Sequence, residues 1–269
     1  MAELITIDDP ADPRLADYVA LTDAELRKRY ERERGVLIAE GPNPVRELVD
    51  SAYPVRSMLL ADDRLDRVAE LLPRFDAPVY VVTQELLHDI VRFKLHQGVI
   101  ACGGRLPPRQ PGEVLAAARM VAVLEGLNDH ENLGTLFRSA RGLGVDGVLL
   151  GAGCADPLYR RSVRVSMGHV LHVPHASIDH LDVALPDLHA AGFRTVALTP
   201  DPAADDLREV EVAAGERVAL LLGAEGPGLT EAALEGADVR ARIPMRDGVD
   251  SLNVATAAAI AFHVLGPRA

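Results

Sequence analysis

Residues 217–265 constrain the fold more than any other stretch, because two strand patterns there each run directly into a polar, glycine-bearing loop. The first, Val218-Ala219-Leu220-Leu221-Leu222, is a continuous apolar run bounded by turn residues, the pattern of a strand buried on both faces. It ends in Gly223-Ala224-Glu225-Gly226-Pro227-Gly228-Leu229-Thr230, where glycines and a proline demand a tight loop. The second, Val239-Arg240-Ala241-Arg242-Ile243, alternates as a half-buried strand does and continues through Pro244 and Met245 to Ser251, Leu252 and Asn253. Residues 254–265 are almost entirely alanine and aliphatic, and Ser251 or Asn253 is placed to cap that helix. In an open α/β sheet, ligands bind beyond the carboxyl ends of the strands, so the two loops form a candidate site. Glycines alone would only turn the chain; Glu225, Ser251 and Asn253 beside them exceed that need.

The rest of the chain repeats the rhythm. Strand patterns at 36–39, 57–60, 79–82 and 99–102 alternate with helical ones at 44–51, 66–72 and 84–91, which predicts a small α/β domain. Three prolines and a glycine within 105–112 make a stiff, poorly helical linker, so the domains are expected at 1–105 and 113–269, joined by 106–112. In the second half, strands at 121–124, 145–150, 194–198, 218–222 and 239–243 alternate with helices at 133–143, 158–166, 181–191, 231–234 and 254–265. That order predicts a mostly parallel sheet covered on both faces. Residues 23–34 read as a charged helix with a solvated face.

The net charge of −12 argues against a protein that coats nucleic acid indiscriminately, but not against a local RNA site. Between Arg138 and Arg164 five arginines stand against Asp146 and Asp156, a local charge of +3 that could face phosphate. The N-terminus lacks a basic region followed by a long apolar core, and no uncharged apolar run approaches about 18 residues, so a cytoplasmic protein is expected. Cys102 and Cys154 lie far apart without CxxC spacing, implying neither a disulfide framework nor a zinc site.

Other patterns carry less. Gly142-Leu143-Gly144-Val145-Asp146-Gly147 matches GxGxxG, but a helix precedes it and a strand follows, the reverse of what dinucleotide binding requires. His169, His172 and His175 invite a metal reading; Pro174 precludes one continuous helix, and strand alternation sends His172 and His175 to opposite faces, so no metal is expected. Asn132 reads as the cap of the helix after the first strand of the second half, and Arg138 as a residue past its first turn.

Three segments, in order, resemble the signature motifs of the SpoU/TrmH-type RNA 2′-O-ribose methyltransferases of the SPOUT superfamily. They are Asn132-Leu133-Gly134-Thr135-Leu136-Phe137-Arg138-Ser139-Ala140, Leu222 through Leu229, and Ile243-Pro244-Met245 through Ser251-Leu252-Asn253-Val254-Ala255. Where the family often has Asp-Pro, this chain has Asp129-His130-Glu131. Residues 40–47 through 97–99 look like the family's ribosomal-protein-like, L30e-like substrate-binding domain. The resemblance implies a C-terminal trefoil-knotted α/β methyltransferase domain with a mostly parallel sheet, although un-knotted connections are the physical default. It implies S-adenosylmethionine as cofactor, held around Thr199, Gly223, Ala224, Gly226, Ile243, Pro244, Met245 and Leu252, in a site completed by a homodimer. Arg138, Asn132, Glu225, Ser251 and Asn253 are the implied catalytic set, with Asn132 positioning Arg138 or the ribose and Glu225 fixing the second loop. The implied reaction is methyl transfer to a ribose 2′-hydroxyl of structured RNA, ribosomal RNA ahead of transfer RNA. A non-catalytic RNA-binding protein and a dinucleotide oxidoreductase are the rival classes.

Overall fold

A computed structural model describes residues 2–19, 21, 30–93, 95–246 and 250–266. The chain divides into two compact units, one of residues 1–107 with 158–172 and the other of 108–157 with 173–269. The second unit is therefore discontinuous in sequence: its chain passes through the first unit between Pro157 and Val173.

Among the described residues the first unit holds a five-stranded sheet of β1 (Glu3–Thr6), β2 (Val36–Glu40), β3 (Val55–Ala61), β4 (Pro78–Val82) and β5 (Val99–Gly104). The order is β1-β4-β3-β5-β2; β1, β4 and β3 run parallel and β5 pairs antiparallel with both β3 and β2. Helices α1 (Pro42–Asp50) and α2 (Gln84–Val91) flank it. Thr83 caps α2 by accepting from the Leu86 amide, and Arg92 ends it in the left-handed region with φ 60°. The helix expected at 66–72 is replaced by 3-10 turns, Asp62–Val68 and Leu72–Arg74; Pro73 lacks the amide an α-helix would need there. Of the charged run at 23–34, residues 30–34 are helical, and 23–29 lie outside the described residues.

The second unit opens with α3 (Pro111–Ala117), which takes up part of the expected linker: Gln110 and Glu113 form a capping box, and Pro111 sits at the first helical position, where its missing amide costs nothing. Then follow β6 (Met120–Leu124), α4 (His130–Gly142) and β7 (Gly147–Leu150). After the segment in the first unit, which contains α5 (Arg160–Val165), come β8 (His175–Ser177), α6 (Leu181–Ala190), β9 (Phe193–Leu198) and β10 (Asp205–Asp206). The unit closes with β11 (Arg217–Leu222), α7 (Glu231–Gly236), β12 (Val239–Arg242) and α8 (Val254–Leu265). Among the described residues these make a seven-stranded sheet, β10-β12-β9-β11-β6-β7-β8, parallel throughout.

Strand β11 lies at the centre, and Val218 to Leu222 are buried along its length, as the continuous apolar run predicts. Ala219 and Leu221 face a core with Val121, Val123, Leu149, Leu185 and Leu188, while α4 and α8 pack against each other and α8 against β11. The all-apolar helix α8 buries Ala255, Ala258, Ala261, Phe262 and Leu265, whereas Val254, Ala257, Ala259, Ile260 and Val264 remain half-buried and Thr256 and His263 exposed. One chain thus covers only part of this helix. No helix among the described residues is long and apolar enough to cross a membrane.

Candidate active site

The strand order reverses at β6. The chain steps outward from β6 to β7 and β8 on one side, then returns to β9, β11 and β12 on the other. The carboxyl ends of β6 and β11 therefore flank a topological switch point, where an open parallel sheet leaves a crevice for a ligand.

Three motif side chains meet there. Asn132, in the first turn of α4, donates its Nδ2 to Glu225 Oε1 at 2.8 Å. Asn253 Nδ2 donates to Asn132 Oδ1 at 2.8 Å and to Glu225 Oε1 at 3.1 Å. The carboxylate that follows β11 thus joins the start of α4 to the start of α8. Asn253 also settles the open capping alternative, because its Oδ1 accepts from the amides of Ala255 and Thr256 while its Nδ2 serves the network. For α4 the cap is Asp129, not Asn132: the Asp129 carboxylate accepts from the Glu131 and Asn132 amides at 2.8 Å. That shift of three residues frees the Asn132 side chain to reach across the crevice. The first turns of two helices thus meet at one carboxylate. All three residues are at least partly open to solvent, so the network fixes geometry more than it adds stability.

The loop bearing Glu225 is tight. Gly228 N–H donates to Ala224 O at 3.0 Å, Gly226 and Gly228 have φ of 88° and 76°, and a Cβ on Gly223 would lie 2.1 Å from the Gly228 carbonyl carbon. Only glycine fits position 223. The loops after β9, β11 and β12 leave neighbouring strands, and they carry Thr199, Gly223, Ala224, Ile243, Pro244 and Met245, all half-buried, with Gly226 exposed and Leu252 at 36% exposure. Partly uncovered apolar side chains beside a loop stripped to its backbone fit a nucleoside-bearing cofactor that is bound by backbone and apolar contact.

Other expected residues stay apart from this network. Arg138 is exposed on α4 and is not among the partners of Asn132 or Glu225, and Ser251 is exposed beside the cap. Residues 247–249 of the third loop lie outside the described residues. The arginine cluster divides between the units: Arg138 and Arg141 lie on α4, while Arg160 and Arg164 lie within 3.0 and 3.6 Å of the Glu40 carboxylate, which offsets their charge. The three histidines divide as well, His169 and His172 facing Glu47 in the first unit and His175 packing edge-on against Phe137 in the second. Sequence reading passed over Glu125, which follows β6 and bonds Thr230 across the crevice; its one signal was a carboxylate at the carboxyl end of an apolar strand.

Comparison with known proteins identifies the family. The sequence profile of the SpoU rRNA methylase family matches residues 119–263, and that for RNA 2′-O ribose methyltransferase substrate binding matches 38–102. An uncharacterized tRNA/rRNA methyltransferase of Mycobacterium tuberculosis is 48% identical over 95% of this chain and 89% of its own. The 23S rRNA (guanosine(2553)-2′-O)-methyltransferase RlmP of Bacillus subtilis is 29% identical over 90% and 94%. Among solved structures, the AdoMet-bound rRNA methyltransferase from Sinorhizobium meliloti superposes with a TM-score of 0.80 at 25% identity, covering 97% of both chains. With three motif segments converging on one carboxylate and more than half of its length matching the family profile, the chain belongs to the SpoU rRNA methylase family.

Proposed function

We propose that this S-adenosylmethionine-dependent RNA methyltransferase acts on a ribose 2′-hydroxyl of a structured ribosomal RNA element, as a homodimer whose first unit selects the RNA. The observation that carries the reading is the single network of Asn132, Glu225 and Asn253, which draws the ends of three separate motifs to one switch point. The substrate-binding profile over residues 38–102 supports RNA selection by the first unit, and the similarity to a 23S rRNA methyltransferase supports a ribosomal target over a transfer RNA. The half-open apolar face of α8 supports a second copy. A trefoil knot in the second unit is part of the same proposal.

A ribose hydroxyl is a poor acid, so the site must align it and ease loss of its proton; alignment alone supplies about 7–11 kcal/mol in favourable systems. S-adenosylmethionine supplies, when bound, a methyl carbon activated by sulfonium charge. Thr199, Gly223, Ala224, Gly226, Ile243, Pro244, Met245 and Leu252 would hold it. Arg138, an exposed cation on the helix whose first turn carries Asn132, pairs with RNA phosphate and with the developing oxyanion. A guanidinium carries only donors and does not accept the hydroxyl proton. Asn132 and Asn253 hold Glu225, and Ser251 orders the third loop toward substrate.

Methyl transfer to total RNA, with ribose methylation mapped site by site in cells with and without the enzyme, tests the reading. The expected result is one ribosomal ribose. Arg138→Ala should retain cofactor affinity by calorimetry and lose turnover by about a hundredfold or more, with Arg138→Lys restoring little. A missing methyl on transfer RNA with ribosomal RNA unchanged would overturn the substrate assignment, and near-normal turnover by Arg138→Ala would overturn the role of Arg138.

A further inference from the structure

Glu125 follows directly on β6, on the opposite side of the switch point from the loop that carries Glu225. Its main chain and side chain grip both stems of that loop. The Glu125 amide donates to Leu222 O at 2.9 Å, holding the leading stem where β11 ends. Its carboxylate accepts from the Thr230 amide through Oε2 at 2.8 Å and from the Thr230 hydroxyl through Oε1 at 3.1 Å, holding the trailing stem. Between the stems, Ala224 and Gly228 are paired across the loop, which leaves Glu225 at a short, rigid tip. The next residue, Gly126, adopts φ 69° and has its Cβ direction filled by the Ala224 side chain at 3.1 Å, so the β6 end supports the loop from beneath as well.

We infer that Glu125 is a positioning residue for methyl transfer: by clamping residues 222 and 230 it sets the height and angle at which the loop presents its backbone to the cofactor and its carboxylate to Asn132 and Asn253. The inference rests on the proposed role of the Glu225 loop. The carboxylate serves here as a double hydrogen-bond acceptor and takes no part in the chemistry. Glutamine can reproduce the side-chain half of the clamp, with its carbonyl accepting from the Thr230 amide and its NH₂ donating to the Thr230 hydroxyl, whereas alanine keeps only the main-chain bond to Leu222. Displacing a reacting group by about 1 Å costs on the order of a hundredfold.

The test compares Glu125→Ala and Glu125→Gln in the full chain by calorimetric affinity for S-adenosylmethionine, kcat and KM for RNA methylation, and thermal unfolding. Cofactor affinity is read without knowing the RNA target, so a wrong RNA assignment fails separately, at the wild-type methylation step. The expected result is a loss of about tenfold to a hundredfold in cofactor affinity and kcat for Glu125→Ala in protein that remains folded, with Glu125→Gln restoring most of both. A glutamine variant as impaired as the alanine variant would show that the negative charge itself is needed and overturn the inference. An alanine variant of normal affinity and kcat would overturn it too. If Glu125→Ala does not fold, Thr230→Val against Thr230→Ser is read the same way: the valine variant should lose several-fold in kcat and the serine variant should not, and equal kcat would refute the clamp.

Discussion

Asn253 does two tasks with two ends of one amide. Its Oδ1 caps α8 and its Nδ2 ties that helix to Asn132 and Glu225, so substitutions can separate the tasks. Asn253→Asp keeps the cap, since a carboxylate at a helix N-terminus is favourable, but sets a second negative charge where a donor lay 3.1 Å from Glu225. Turnover should fall at least about tenfold, as one charge-assisted bond is replaced by repulsion. Asn253→Ala should additionally lose about 0.5–2 kcal/mol of stability through the missing cap. Methyl-transfer rates and denaturant unfolding of the pair check both; equal turnover in Asn253→Asp and wild type would show that the network is ornamental. That Asn132 bonds Glu225 and is not the cap could not be read from the chain, because Asp129 and Asn132 are both competent caps and only the turn geometry selects between them.

At the scale of elements, β9 and β12 are locked together at their amino ends. The Asp238 carboxylate accepts from the Thr195 amide and hydroxyl, both at 2.8 Å, and the Asp238 amide donates back to Thr195 Oγ1 at 2.9 Å. Burial pushes the Asp238 carboxyl up, but the Thr195 amide and hydroxyl, with His189 beside them, outweigh it and hold the group below its ordinary value. A depressed native carboxylate contributes stability that is fully present above the unfolded value of about 3.9 and is lost as the pH falls through the lower native one. Asp238→Asn should therefore lower the unfolding midpoint at neutral pH, with the gap to wild type closing in acid below about pH 3.9. Unfolding curves from pH 7 downward test this, and a gap constant across that range would contradict it. Most elements were legible because burial period and capping agree: β11 and α8 reproduce the apolar runs. Strands β1, β8 and β10 were not, since none of them carries a buried apolar run of its own and each takes its conformation from the neighbour it pairs with.

At the scale of the molecule, Leu158–His172 changes what a domain deletion does. Read linearly, removing residues 1–105 leaves an intact second unit that still binds cofactor. In the structure this segment packs with the first unit, where α5 lies on β2 and Tyr159, Val163, Val170 and Leu171 are buried. The deletion should therefore expose these side chains and yield protein that aggregates and binds hydrophobic dye, whereas removing 1–107 and also replacing 158–172 by a short glycine-serine linker should yield a soluble unit that binds S-adenosylmethionine. Light scattering and calorimetry on the two proteins decide it; a monodisperse, cofactor-binding simple deletion would refute the expectation. The sequence by itself determined the α/β class, the mostly parallel second sheet and the positions of the strand-end loops, because hydrophobic period and turn chemistry act over a few neighbouring residues; Asn132, Glu225 and Asn253 were singled out as a set by their resemblance to the family's motifs. Only the tertiary structure decided that Asn132, Glu225 and Asn253 share one network, that Glu125 grips the loop between them, and that residues 158–172 belong with the first unit. Those are contacts between residues about 30 to 120 positions apart, set by strand order and packing, which no local pattern encodes.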